Sequence, residues 1–133
     1  MAKIIVKEPG KEMRVENFDG KYRCDVRPLL GEDVTLEYVG MKDDGDTRLC
    51  MVLDEDGKIK RLPRNFLIPL NYGIDTIVGT VCIVRFRWEN PWEKELWDFE
   101  LMDVTPEDVA GVKNLLSDFT QGALVLRAGG VFY

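Results

Sequence analysis

The longest β-rich run of the chain is Thr76–Trp88, which reads TIVGTVCIVRFRW. β-Branched and aromatic residues dominate this run, and these residue types are enriched in strands. Gly79 interrupts the run and is a candidate β-bulge, because glycine inside a strand pattern often marks one. The stretch therefore predicts a long β-strand, and with it a sheet.

Shorter strand patterns precede this run. Lys3–Lys7 (KIIVK) is an apolar strand pattern ended by a Pro-Gly turn signal, and Val34–Tyr38 alternates apolar with polar residues. Leu49–Leu53 is a third, apolar strand pattern. Asp56-Gly57 is a hairpin signal, so Lys58–Leu62 is predicted to be the strand that returns beside Leu49–Leu53.

Two helices are expected. Asp19 is a possible cap for the first, which Pro28 limits or kinks. One helical face of that segment consists of Tyr22, Val26, Leu29 and Leu30. The second helix begins at Thr105 as the N-cap, with Pro106 in the first helical position. Its predicted buried face consists of Val109, Val112, Leu116 and Phe119.

These elements predict an α+β fold in a single domain over residues 1–133. The expected architecture is an antiparallel or mixed sheet of about five to six strands with two helices packed on one face. A chain of 133 residues is long enough to bury a core without disulfide or metal staples.

Composition excludes several classes of function. The chain has no histidine, which removes Ser–His and Cys–His nucleophile pairs and paired-histidine zinc motifs. Its three cysteines, Cys24, Cys50 and Cys82, lack the short spacings of a zinc site. A calcium loop around Gly57 would need ligands at Val52 and Pro63, which have none to offer. We therefore expect no metal and no cofactor.

The expected location is the cytoplasm. No apolar run approaches the roughly 20 residues of a membrane span. The apolar stretch near the N-terminus, Ile4–Val6, is far shorter than the roughly 7–15 residues of a signal peptide. The net charge of −6 disfavours nonspecific binding to nucleic acid or to anionic membranes.

Aromatic and acidic residues are concentrated in residues 88–100. All three tryptophans of the chain lie there, and the candidate partner-binding residues are Trp88, Trp92, Trp97 and Phe99. Tryptophan is enriched among interface hot spots, so a docking surface is one interpretation. The alternatives are that the rings cover one end of the sheet, or that two of the neighbouring carboxylates form a glycosidase-like pair.

A basic segment follows the predicted hairpin turn. The candidate anion or nucleic-acid patch consists of Lys58, Lys60, Arg61 and Arg64, with Arg85 and Arg87 of the long strand as possible additions. Alternation in a strand places Lys60 and Arg61 on opposite faces. A solvated sheet face, or ion pairs with acids of the facing strand, is the competing interpretation.

Four sequence pieces together resemble a known family. They are IIVKEPGK, LCMVLDEDGKIKRLPRN, IVGTVCIV and LMDVTPEDV. The family is the uncharacterised domain-of-unknown-function family number 3846, small proteins of phages and bacterial mobile elements. This chain departs from the pattern at Pro28 and in the extra length of WENPWEKELW. The resemblance implies a phage or mobile-element origin and an intracellular setting. It supplies neither an activity nor catalytic residues for this chain.

The resulting hypothesis is a non-enzymatic protein-interaction module that binds a host or element-encoded protein. One alternative is a nucleic-acid-binding module that uses the basic segment. Others are a carboxylate-based enzyme and a mimic of DNA that uses the acidic surface. The apolar C-terminal tail, ALVLRAGGVFY, is a candidate edge strand or dimer contact.

Overall fold

The computed structural model describes residues 2–19, 26–31, 33–70, 73–88 and 99–116. Within these ranges the chain forms eight strands and two helices. In chain order they are β1 (Ala2–Lys7), β2 (Arg14–Phe18), α1 (Arg27–Leu30), β3 (Leu36–Asp44), β4 (Thr47–Asp54), β5 (Arg64–Leu70), β6 (Gly73–Val78), β7 (Val81–Trp88), β8 (Phe99–Met102) and α2 (106–116).

Six strands form one antiparallel sheet. Its order is β2-β1-β7-β4-β3, and β8 also pairs with β7. The register brings distant parts of the chain together, since Ile5 lies opposite Ile83 and Cys50 lies opposite Val84. β5 and β6 form a separate two-stranded antiparallel sheet. The predicted α+β class and the size of the main sheet are confirmed.

Strand alternation divides the core between the two faces of the main sheet. The first face carries a buried cluster made of Ile4, Val6, Val26, Cys50, Val52, Cys82, Val84 and Phe86. The second face carries Ile5, Leu49, Met51, Leu53, Val81 and Ile83. They pack with Ile68 of β5, with Ile77 of β6, with Val112 of α2, and with Val104, which precedes that helix. The β5–β6 hairpin and α2 therefore cover the second face.

The two helices lie on opposite faces of the sheet. Leu29 and Leu30 of α1 pack against the first cluster, whereas Val112 of α2 belongs to the second. The expectation of two helices on one face is therefore wrong. The reason is that the β5–β6 hairpin, rather than a second helix, lies beside α2 on its face.

The long run Thr76–Trp88 is divided between two strands. β6 ends at Val78 and belongs to the small sheet, whereas β7 begins at Val81 and is the middle strand of the large one. Gly79 makes the corner between them with a φ of 74°. A single strand with a bulge at Gly79 was the wrong prediction, because this left-handed backbone conformation turns the chain out of one sheet and into another.

Residues 58–62 are not a strand. Residues 55–61 form consecutive turns in which the Lys60 N–H donates to the Asp56 carbonyl at 2.9 Å and the Leu62 N–H donates to the Gly57 carbonyl at 3.0 Å. Arg61 has a φ of 58°. The predicted returning strand is wrong because β4 already pairs with β3 on one side and β7 on the other.

The N-terminus of α2 agrees with the prediction. The Asp108 N–H donates to Thr105 Oγ1 at 3.0 Å, and the Thr105 N–H donates to Asp108 Oδ2 at 2.9 Å. This reciprocal pair is a capping box, with aspartate in the place more often taken by glutamate. Val109 and Leu116 pack beside Val112 as predicted. Phe119 and the C-terminal tail lie outside the described residues.

The first helix is much shorter than predicted within the described residues. It consists of Arg27–Leu30, with Pro28 in its first turn, and Gly31 caps its C-terminus. Tyr22 and Cys24 lie outside the described residues, so the predicted helical face is only partly described. Among the residues that are described, no helix has the length and apolar character needed to cross a membrane.

Candidate functional site

The predicted docking segment connects two neighbouring strands. β7 and β8 are antiparallel, and Trp88 at the end of β7 lies opposite Phe99 at the start of β8. The two described residues that flank positions 89–98 are therefore neighbours across the sheet. Trp92 and Trp97 lie outside the described residues, so the structure fixes where this tryptophan segment (residues 88–99) is attached and no more.

The basic segment carries ion pairs. Lys58 pairs with Asp75 of β6, and the Lys60 ammonium lies 2.6 Å from Asp54 Oδ2. Lys60 also donates to the Asp33 carbonyl. The Lys60 pair involves an acid of the strand that was expected to face this segment, whereas the Lys58 pair involves an acid of a different strand. The carboxylates come from β4 and β6.

Arg61 and Arg64, the other two candidates in this segment, are exposed. Arg61 lies in the turn, and Arg64 is the first residue of β5. They are separated along the chain by Leu62 and Pro63, and Pro63 accepts a backbone hydrogen bond from Gly79 at 2.7 Å. The four candidate residues thus lie on a turn and on the strand that follows it, rather than along one strand.

Arg85 does not belong to a surface patch. Its side chain is 9% exposed, and its guanidinium forms a bidentate ion pair with the carboxylate of Asp108 in α2. The Asp108 hydrogen bonds, more than any other cause, raise the pKa of Arg85 above its usual value. Arg87, the other candidate addition, pairs with Asp46 at 3.2 Å. The suggestion that Arg85 contributes to an anion patch is therefore wrong.

Two cysteines behave as small apolar residues. Cys50 and Cys82 are free thiols, buried in the first core cluster. Burial is the main cause that raises the pKa of each thiol to about 12. Thiolates are the reactive form of cysteine, so neither residue is a candidate nucleophile at neutral pH. Among the described residues, no three cysteine, aspartate or glutamate side chains come together in an arrangement that suits a metal ion.

A groove that the sequence patterns do not predict lies between the β1–β2 turn and α2. Its volume is about 780 Å³, and we refer to it as the β1–α2 groove. Residues 10–15, Lys7, Val109, Lys113 and Leu116 line it. The walls come from segments about 100 residues apart, so no local motif could have revealed it.

The β1–α2 groove combines apolar and cationic side chains. Its cationic residues are Lys7, Lys11, Arg14 and Lys113, and its acidic residue is Glu12. Arg14 pairs with Glu8 at 2.6 Å and with Glu16, so its charge is offset by neighbouring carboxylates. Burial lowers the pKa of Lys7 below its usual value. An anionic partner would offset the partial desolvation of this ammonium.

A second cavity of about 280 Å³ lies between the second face of the main sheet and the β5–β6 hairpin. Apolar side chains such as Met51 and Ile68 line its interior, and Glu55, Asp75 and Lys58 lie among its polar lining residues. The Lys58–Asp75 ion pair thus lies at this cavity.

Comparison with known proteins gives a match to one family model. A model of the family described as Domain of unknown function (DUF3846) matches residues 1–93. The chain belongs to the DUF3846 family. No curated protein and no solved structure matches it. The resemblance stated from the sequence is therefore confirmed, and three of its four pieces lie inside the matched residues.

The DUF3846 match covers β1 to β7, so β8 and α2 lie beyond it. The fourth piece, residues 101–109, belongs to this unmatched part. Two features nevertheless join the two parts. Arg85 is inside the match and pairs with Asp108 outside it, and the β1–α2 groove has one wall in each part.

Proposed function

We propose that this DUF3846 protein is a non-enzymatic accessory protein of a phage or mobile element, and that it binds a host or element-encoded protein through Trp88, Trp92, Trp97 and Phe99. The observation that supports the proposal is the pairing of Trp88 with Phe99 across β7 and β8. It anchors both ends of the tryptophan segment on the main sheet. A docking segment anchored in this way loses less conformational entropy on binding than a free chain end.

The chemistry of the segment favours a protein partner. Tryptophan contributes large contact areas with few rotatable bonds, and it is enriched among interface hot spots. Four acids lie between the two strands, namely Glu89, Glu93, Glu95 and Asp98. The partner surface is therefore expected to offer apolar pockets surrounded by basic residues, because complementary charge steers association and selects the partner.

The test compares three forms of the tagged protein in affinity capture from lysate of the source cell. They are the wild type, Trp92→Ala/Trp97→Ala, and the control Ile59→Ala/Ile74→Ala. The control removes large apolar side chains that are 82% and 39% exposed elsewhere on the surface. Circular dichroism and urea unfolding establish that each variant is folded.

The expected result is one protein that the wild type and the control retain and that the tryptophan variant loses. Binding is then measured with the purified partner, where loss of two hot-spot tryptophans should weaken affinity by about 100-fold or more. A tryptophan variant that unfolds would favour the packing interpretation, in which the rings cover the end of the sheet. A folded tryptophan variant that still binds would contradict the proposal.

Nucleic acid in the eluate would favour the alternative in which the basic segment binds nucleic acid. If salt removes it and all three forms carry equal amounts, the tryptophan segment is not the binding surface. The ion pairs of Lys58 and Lys60 reduce the charge that this segment offers to phosphate. The next comparison would then use Arg61→Gln/Arg64→Gln in a gel shift at low and high salt.

A further inference from the structure

We propose that the β1–α2 groove binds a small organic anion that has a carboxylate or phosphate head and an apolar body. This inference does not involve the tryptophan segment and stands or falls separately from the proposed function. It follows from the position of Lys7 and from the charge and size of the groove.

Lys7 is the centre of the proposed site. Its ammonium donates to the Glu8 carbonyl and to Asn65 Oδ1, both at 2.8 Å. A lysine ammonium has three donors. Among the described residues, two of these three donors are engaged in this way, and Lys7 lines the groove. An anion that accepts a hydrogen bond from the third N–H would offset the cost of burying the charge, which lowers the pKa of Lys7.

Asn65 holds Lys7 in place. Its amide nitrogen donates to the Lys7 carbonyl and to the Gly79 carbonyl, both at 2.8 Å, while its amide oxygen accepts from the Lys7 ammonium. One side chain of β5 therefore fixes both the backbone and the ammonium of Lys7. A cation positioned before the ligand arrives loses little freedom on binding, which favours affinity.

The other walls suit the remainder of such a ligand. Lys113 approaches from α2, while Lys11 and Arg14 of the turn both pair with Glu8, at 3.5 Å and 2.6 Å. The apolar lining consists of Met13, Val15, Val109 and Leu116. Methionine adapts its shape to different apolar groups. A ligand with a charged head near Lys7 and an aliphatic or aromatic body along α2 would use both kinds of lining.

Size and overall charge favour a small molecule over a polymer. The groove volume of about 780 Å³ lies within the roughly 300–1,000 Å³ typical of small-molecule sites. Nucleic acid requires cations along an extended track, and the chain as a whole carries a net charge of −6 that repels polyanions. Cationic side chains confined to one groove of a negatively charged protein favour small anions over polyanions.

The test uses four probes, with binding measured by calorimetry and by amide shifts in NMR spectra. Octanoate and octyl phosphate carry the head and the body, octanol lacks the charge, and inorganic phosphate lacks the body. We expect the two octyl anions to bind at least about tenfold more tightly than octanol or inorganic phosphate. The tighter of the two identifies the head group. Equal binding of octanol would overturn the proposal, and so would shifts confined to residues outside the groove.

Two variants and a control locate the site. Lys7→Gln should weaken binding of the tighter octyl anion about tenfold, because it removes a charge-assisted hydrogen bond. Lys113→Gln, on the exposed side of α2, should weaken it about threefold without affecting the fold. Lys3→Gln changes an exposed lysine on the same strand as Lys7 and should leave affinity unchanged.

The Lys113 variant keeps the test decisive if Lys7→Gln fails to fold. Unchanged affinity in Lys113→Gln, or equal loss in Lys3→Gln, would show that the groove is not the binding site. The Trp92→Ala/Trp97→Ala variant should bind the octyl anion as the wild type does. Loss of partner capture with retained anion binding would therefore support both proposals, and each of the two can fail without the other.

Discussion

Arg85 and Asp108 form a buried ion pair that joins the middle strand of the main sheet to the first turn of α2. The distances are 2.8 Å from Nε to Oδ2 and 2.6 Å from Nη2 to Oδ1. Arg85 Nη1 also donates to Asp44 and to Thr47 Oγ1, both at 3.0 Å. Asp108 thus caps the helix and holds the guanidinium at once, so one carboxylate joins the start of α2 to the sheet beside the apolar contacts of Val112.

Asp108→Asn is expected to destabilise the protein by about 3 kcal/mol, because it leaves a buried guanidinium without its main counter-charge. Urea unfolding followed by circular dichroism measures the change. The matched control is Glu107→Gln, an exposed neighbour on the same helix, which should change stability by no more than about 0.5 kcal/mol. Equal stabilities of the two variants would show that the pair contributes no net stability.

Stability should fall as the solution becomes acidic. Hydrogen bonds from Arg85 are the main cause that lowers the pKa of Asp108. For Asp54, burial raises the pKa. Hydrogen bonds from Lys60 and from the Asp56 N–H lower it by more than burial raises it, so the net shift of the pKa is also downward. A carboxyl with a lowered folded-state pKa contributes stability above its unfolded pKa of about 4, and this stability is lost as pH falls through the folded value.

Urea unfolding at a series of pH values from 6 to 2 tests this expectation. In the wild type, the free energy of unfolding should begin to decrease near pH 4 and continue to decrease below it. Asp108→Asn removes one carboxyl of lowered pKa, so the stability of this variant should depend less steeply on pH. The assignment of this pH dependence to Asp108 would be wrong if both proteins gave parallel curves.

Gly79→Ala should destabilise the protein more than Gly45→Ala, although the two glycines have similar backbone conformations. Gly79 and Gly45 have φ values of 74° and 65°. A Cβ at Gly79 would lie 2.7 Å from Leu62 Cδ1, whereas a Cβ at Gly45 has nothing within 4 Å. Gly45→Ala should therefore cost about 1 kcal/mol from backbone strain alone, and Gly79→Ala about 2–3 kcal/mol.

The difference between these two variants measures the contact with Leu62. Gly79→Ala should destabilise the Leu62→Ala variant less than it destabilises the wild type, because the obstructing side chain is already gone. A double-mutant cycle from thermal or urea unfolding gives this coupling. Additive effects would mean that Leu62 moves aside at no cost.

Local patterns predicted the elements whose signals are contained in a few residues. Thr105 and Asp108 form the expected start of α2, and the strands at residues 3–7 and 49–53 are present because their apolar runs are buried in the sheet. The cysteines at 50 and 82 are buried for the same reason. In each case the sequence signal and its structural cause lie within one element.

Other features depend on contacts that local patterns do not contain. Asp56-Gly57 has the composition of a hairpin turn, but both edges of β4 are occupied by β3 and β7, and the chain turns away. The edge strand β2 is too short and polar to be recognised, and β5 contains Pro69. The β1–α2 groove requires knowledge of where α2 lies on the sheet, which long-range packing determines.

The strand order also has a consequence for synthesis on the ribosome. β1 is made well before its partner β7, which is complete only when residue 88 has been added. At the usual 5–20 residues per second, this delay is on the order of ten seconds. During it, β2 is an available partner for one edge of β1, while Ile4, Ile5 and Val6 lack the β7 and β4 neighbours that bury them. The nascent chain thus presents an unprotected apolar strand, which makes it a natural client for chaperones.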